Sequence, residues 1–215
     1  MKSKPQGKLE GTIAGNILKT RLAVITANWV FQGMRYMTFY EIGLKMLLNS
    51  VIAFLLLFFL LGKVPVLSAI IIAIIIAHTI NWIINGHFFV LMRYVAPVPK
   101  TEQEFESFIG KMMAAALKWE SIDSVAIYGS YCRGNLHEYS DLDVRVVTHT
   151  GYFNAIKGAL FCFLQRAIAF FSIFPLDIYC TDKISFLKRM RDDERPVILF
   201  DHSGRTSNLY DLDKE

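Results

Sequence analysis

Two long apolar runs dominate the first half of the chain. Met46 to Leu61 (MLLNSVIAFLLLFFLL) and Val66 to Ile84 (VLSAIIIAIIIAHTINWII) contain no Asp, Glu, Lys or Arg, and Gly62-Lys63-Val64-Pro65 separates them. A helix needs roughly 20 apolar residues to cross a hydrocarbon core of about 30 Å. The second run has that length. The first is shorter, and needs flanking residues or a locally thinned bilayer. A turn this short admits only a helical hairpin, so both ends lie on one side. The alternative is a hairpin buried in a soluble protein, but a chain of 215 residues cannot enclose so much apolar surface. Before the runs, Ile13, Ile17, Leu22, Trp29, Phe31, Tyr36, Phe39 and Tyr40 are mixed with Lys19, Arg21 and Arg35. Aromatic and basic residues together suit a segment lying in the headgroup region. A third embedded segment around Leu22–Phe31 is the other reading.

The pattern changes after Pro97 and Pro99. Thr101 and Glu104 form a capping box, opening a helix to about Trp119 with Phe105, Phe108, Ile109, Met112, Met113, Ala116 and Leu117 at helical spacing. The order predicted from there is strand (Ser124–Tyr128), polar turn, strand (Leu142–Val147), helix (about Tyr152–Phe171), strand (Leu176–Cys180), short helix (Lys183–Met190) and strand (Val197–Phe200). The chain therefore divides into three. Residues 1–99 form a membrane-anchoring region, with an interfacial segment over about 11–45 and transmembrane helices over about 46–62 and 66–86. Residues 100–204 form a small α/β domain. Residues 205–215 read as a polar, poorly ordered tail.

Composition agrees, at 53% hydrophobic residues, and a net charge of +4 gives no case for a nucleic-acid partner. Charge also orients the hairpin. Lys2, Lys4, Lys8, Lys19, Arg21, Arg35 and Lys45 precede it against Glu10 and Glu41, Arg93 and Lys100 follow it, and Lys63 stands alone in the turn. The positive-inside rule then places both termini and the α/β domain in the cytoplasm, in an integral protein of the cytoplasmic membrane. Cys132, Cys162 and Cys180 have no ligand spacing and read as reduced cytosolic thiols. Asn81, Asn85, His78 and His87 read as interhelical or interfacial hydrogen-bond partners.

The candidate chemistry lies between Ser124 and Val147 (SVAIYGSYCRGNLHEYSDLDVRVV). Asp141 and Asp143 are two residues apart at the start of a strand, and so share a face. Like charges placed together call for a cation, and hard carboxylates suit Mg²⁺ held against a phosphate. Gly129 lets a phosphate approach the backbone, Ser130 adds a hydroxyl, and Arg133 offers a bidentate contact. Asp177, alone in an apolar strand, is the candidate third ligand; a partner Arg or Lys, or a cap after Pro175, would also explain it. Alternation puts Arg145 on the face of Asp141 and Asp143. It either steers a triphosphate or anionic acceptor, or pairs with a carboxylate. His137 and Glu138, and Asp201 with His202, read as solvated turn residues.

Gly129-Ser130, Arg133-Gly134, Ser140-Asp141-Leu142-Asp143 and Asp177 together resemble the DNA polymerase β-like nucleotidyltransferase superfamily, in particular its minimal members, over roughly Glu104 to Phe200. The resemblance implies a small mixed sheet flanked by helices. It implies two Mg²⁺ ions (or Mn²⁺) on Asp141, Asp143 and Asp177, with Asp177 also acting as or assisting the base. It implies an NTP such as ATP whose β- and γ-phosphates lie on Gly129 and Ser130. The expected reaction is nucleotidyl transfer to a hydroxyl acceptor at the membrane, with release of pyrophosphate. A lipid-linked glycan, a lipid headgroup or a protein would fit as acceptor. A homo-oligomer or a partner subunit would complete so short a chain. Modification of a partner protein, synthesis of a signalling nucleotide, and a non-catalytic membrane adaptor are the competing readings.

Overall fold

The computed structural model describes residues 20–189 and 195–211. The expectations for Lys2, Lys4, Lys8, Glu10, Ile13, Ile17 and Lys19, for Met190 and for residues 212–215 lie outside it. The helical part comprises α1 (Arg21–Phe31), α2 (Phe39–Leu60), α3 (Val66–Ile84) and α4 (Phe89–Val95). The sheet domain comprises α5 (Glu102–Ala116), β1 (Ile122–Tyr128), α6 (Gly129–Cys132), β2 (Leu142–Thr148), α7 (Tyr152–Phe171), β3 (Leu176–Thr181), a 3₁₀ turn (Ile184–Arg189), β4 (Val197–Asp201) and α8 (Arg205–Asp211).

α2 and α3 are the hairpin. The first helix is longer than its uncharged run, because Thr38 caps it in a reciprocal box with Glu41. Residues 39–45 therefore continue this helix, which is 22 residues long. α3 turns Ala69, Ala73 and Ala77 inward, all essentially inaccessible. Small residues at that spacing let two helices approach closely. Phe54, Phe58, Phe59, Ile71, Ile74 and Ile75 point outward and are exposed. α1 has 11 residues and at 1.5 Å per residue reaches only about 16 Å, too short to span. It is fastened to α3 instead. Trp29 Nε1 donates to Thr79 Oγ1 at 3.2 Å, His78 Nε2 meets Trp29 O at 2.9 Å, and Trp82 Nε1 donates to Asn28 Oδ1 at 2.7 Å. Asn81 donates to Lys45 O of α2 at 3.0 Å. The polar residues of the second run thus serve as interhelical partners, as their setting in an apolar helix requires.

The sheet has the order β3-β2-β1-β4 and is mixed: β2 and β3 are parallel, the other pairs antiparallel. One face carries Val125, Ile127, Leu142, Val144, Val146, Ile178 and Cys180, and packs against α5 and α7. By length and composition α2, α3 and α7 could each cross a membrane. α7, however, lays Ala155, Ala159, Phe161, Cys162 and Ala169 in the sheet's core. The opposite face holds Ala126, Tyr128 and Val147 under Leu187, with Leu209 and Tyr210 of α8 packed on them. This corrects the reading of the tail as poorly ordered. Tyr210 OH pairs with Tyr128 OH at 2.7 Å, Thr206 Oγ1 with Ser124 Oγ at 2.6 Å, and Ser207 N donates to Asp201 Oδ2 at 2.8 Å. Few of the tail's residues are apolar, yet they cover a face that would otherwise be wet.

The two halves are bolted together. Glu41 at the base of α2 accepts from Arg166 Nη2 of α7 at 2.7 Å, and both side chains are buried. Arg166 also donates to Ile178 O, and Glu41 Oε2 accepts from Cys180 N at 3.3 Å. Strand β3 lies at the sheet's edge, so these bonds satisfy backbone groups that a further strand would otherwise seek.

Candidate active site

Strand β1 ends at Tyr128 and the chain turns at once into α6. Gly129 takes φ +74°, and a Cβ there would collide with Asp143 Oδ2. Its lack of a side chain therefore makes room first for a carboxylate of the site. Ser130 on α6 and Arg133 at its C-terminal cap face a cavity of about 350 Å³. Ser140, Asp141 and Asp143 close its other side. His137 also lines this cavity as an exposed loop residue, as expected: its Nδ1 accepts from Tyr139 N at 3.2 Å, and Ser140 Oγ accepts from His137 N at 3.0 Å. Those bonds shape the loop that returns the chain to β2.

Asp177 joins Asp143 through the sheet register. β2 and β3 run parallel with Asp143 opposite Asp177 and Arg145 opposite Tyr179. All four residues share the sheet face turned away from α5 and α7. Burial, then the Asp177 charge, pushes the Asp143 carboxyl up to about 7. Carboxylates crowded in this way, all with hard oxygen donors, suit a divalent cation.

Arg145 departs from one of its two expected roles. Its Nη1 donates to Val144 O at 2.7 Å and to Asp177 O at 3.2 Å, and its Nη2 lies 3.5 Å from Asp177 Oδ2. Its guanidinium stacks 4.9 Å from the Tyr179 ring centroid. It lines neither of the two cavities at the site. Pairing with a carboxylate is the role it takes, because the strand neighbour supplied by the parallel register is an aspartate.

The arginine that does reach the site comes from the helical part. Arg93 of α4 donates through Nη2 to both carboxylate oxygens of Asp141. The bond to Asp141 holds its proton more firmly than usual. In the sequence Arg93 reads only as one more positive charge after the hairpin; the sole signal for it is its place one helical turn before Pro97. A second cavity, of about 250 Å³, lies between α1, α4 and β3 and also touches Arg93 and Asp141, with Asp177 on its wall.

Phosphate-sized space beside a hydroxyl and an arginine, closed by Asp141 and Asp143 with Asp177 paired to Asp143 across the sheet, is the equipment for handling a polyphosphate and a metal ion together. No curated protein and no solved structure matches the chain. Residues 111–196 match the family model of the nucleotidyltransferase domain, a class that takes an NTP substrate and uses divalent metal ions. The sheet domain described above therefore contains a nucleotidyltransferase domain, and this gives the protein its enzyme class, nucleotidyltransferase.

Proposed function

We propose that the protein is a membrane-anchored, Mg²⁺-dependent nucleotidyltransferase that moves a nucleoside monophosphate from an NTP to a hydroxyl-bearing acceptor at the cytoplasmic membrane face. The observation that carries this reading is the register pairing of Asp143 with Asp177 beside Asp141, in a domain bolted to the apolar hairpin through Glu41 and Arg166. Asp141, Asp143 and Asp177 are the residues that would hold Mg²⁺, or Mn²⁺ in its place. When bound, the metal would supply charge stabilisation to the attacking and leaving oxygens.

The remaining roles belong to the chain's own side chains. Ser130 donates to the β- and γ-phosphates, which the bare backbone at Gly129 allows to come close. Arg133 offers a two-pronged contact to the same phosphates. Arg93, released from Asp141 when the carboxylate takes up its ligand, is placed to meet the triphosphate's charge. Asp177 accepts the acceptor's proton, and Arg145 fixes its carboxylate in position while leaving an oxygen available. Positioning of this kind, with electrostatic stabilisation, is most of what phosphoryl transfer asks of a protein.

The test is transfer of label from α-³²P NTPs to native membranes in the presence of Mg²⁺. The wild type should transfer label, and Asp141→Ala/Asp143→Ala should lose at least about a hundredfold, since removal of one preorganised stabilising group typically costs 10²–10³. Equal transfer by the two proteins rejects the reading.

A further inference from the structure

The smaller cavity has a polar end and an apolar end. At the polar end are Asp141 and Asp177, and at the other Phe89, Val90 and Met92. Those three belong to α4, which begins five residues after the hairpin's second helix ends at Ile84. The cavity thus reaches from the margin of the apolar span to the carboxylates. The larger, polar cavity beside Ser130 meets it at Arg93, Tyr139 and Asp141. Two chambers sharing a wall at the metal-ligand carboxylates suit two reactants approaching one phosphorus from different sides.

The walls also say what the smaller chamber takes. At about 250 Å³ it holds a polyol or single-sugar group, at roughly 30 Å³ per water-sized unit. His87 lines it, and His87 Nε2 is buried without a hydrogen-bond partner. A buried polar atom left unpaired is costly, so such groups ordinarily have partners. Burial, followed by the charges of Lys45 and Arg166, keeps the ring neutral. A hydroxyl, which both donates and accepts, satisfies that nitrogen in either tautomer.

We propose that this chamber is the acceptor site, and that the acceptor is a membrane lipid whose hydroxyl-bearing head group enters between α1 and α4 while its apolar chains remain in the bilayer. The proposal rests on the nucleotidyltransferase reading above and names its acceptor. In the reaction the head-group oxygen forms a bond to the α-phosphorus of the NTP. The bond from that phosphorus to the oxygen bridging to the β-phosphate breaks, and pyrophosphate leaves with the electron pair. The hydroxyl proton passes to the Asp177 carboxylate.

The test uses the full chain in phosphatidylcholine vesicles, alone or mixed with phosphatidylglycerol, phosphatidylinositol and diacylglycerol, with Mg²⁺ and α-³²P NTPs. Label should enter the organic phase only with the mixed lipids, and free glycerol or glucose should take up at least tenfold less. Val90→Trp, which fills the chamber, should lower lipid labelling at least tenfold and leave Mg²⁺–NTP binding within twofold. A phosphatidylglycerol bearing a head-group diazirine, irradiated without NTP or metal, should attach to residues 86–98, and at least fivefold less in Val90→Trp. Intact NTP binding with no labelled lipid, equal labelling of the free polyols, label on protein instead, or an indifferent Val90→Trp each overturns the lipid acceptor and leaves the nucleotidyltransferase reading standing. Loss of NTP binding in the wild type overturns both.

Discussion

Asp143 carries the sharpest demand of any single residue. It is held against Asp177 by strand register, and its carboxyl is pushed up to about 7 by burial and by that neighbour. An unfolded aspartate titrates near 3.9. The folded protein therefore keeps a proton that the unfolded chain releases, and binds more protons between those two values. Stability from this group is fully present below about pH 4 and is lost as the pH rises through about 7. A divalent cation offsets the loss, because it replaces the proton. Thermal unfolding in detergent with a chelator should show a midpoint that falls between about pH 5 and pH 8. Mg²⁺ should restore it at the upper pH and do little at the lower. Asp143→Asn should flatten both dependences. A Mg²⁺ shift of equal size at the two pH values would show that the carboxylates are not competing for a proton.

At the scale of elements, the join between hairpin and sheet domain rests on Glu41 and Arg166. Removing one member of a buried pair strands the other charge and costs about 3–5 kcal/mol, whereas replacing both by apolar groups can be neutral. Glu41→Ala should therefore lower the thermal midpoint sharply, and Glu41→Met/Arg166→Met should recover most of it. Equal losses in the single and double variants would mean that shape, not charge, holds the join. This contact was not legible in the sequence: Glu41 looked like one of two acids in a basic segment, and nothing local points to a partner 125 positions away. The elements themselves were legible where their pattern is periodic. α7 lies where its periodicity predicts and the strands to within two residues. Strand alternation put Asp141 and Asp143 together, whereas Asp177 was legible only as a lone acid in an apolar strand, whose place opposite Asp143 comes from the sheet register. Local capping chemistry decides the start of α2, and tertiary cover decides α8. Arg93 and the lipid-side chamber depend on how α4 folds back over β3, which no spacing records.

The whole molecule places a phosphate-handling site against a hairpin whose outer surface is apolar. Phe58 is 70% and Ile74 52% exposed, and burying such side chains gains about 1.5–3 kcal/mol each. The hairpin turns at Gly62–Pro65, and Lys63 is the only Asp, Glu, Lys or Arg between Met46 and Ile84. The catalytic domain hangs from the opposite end of both helices, next to Glu41 and Arg93. If the bilayer surrounds α2 and α3, Lys63 and the active site must lie on different sides of it. The basic excess around the domain then favours the cytoplasmic side, where NTPs are abundant. Lys63→Cys should react with a membrane-impermeant maleimide added to intact cells. Glu102→Cys, at the exposed start of α5, should react only after the membrane is opened. Labelling of Glu102→Cys in intact cells would put the carboxylates outside, away from their nucleotide, and the proposed reaction could not run there. Labelling of both sites only after opening would mean that the hairpin lies in the surface of the bilayer and does not cross it. The acceptor would then have to reach the chamber from an interfacial protein instead of a spanning one.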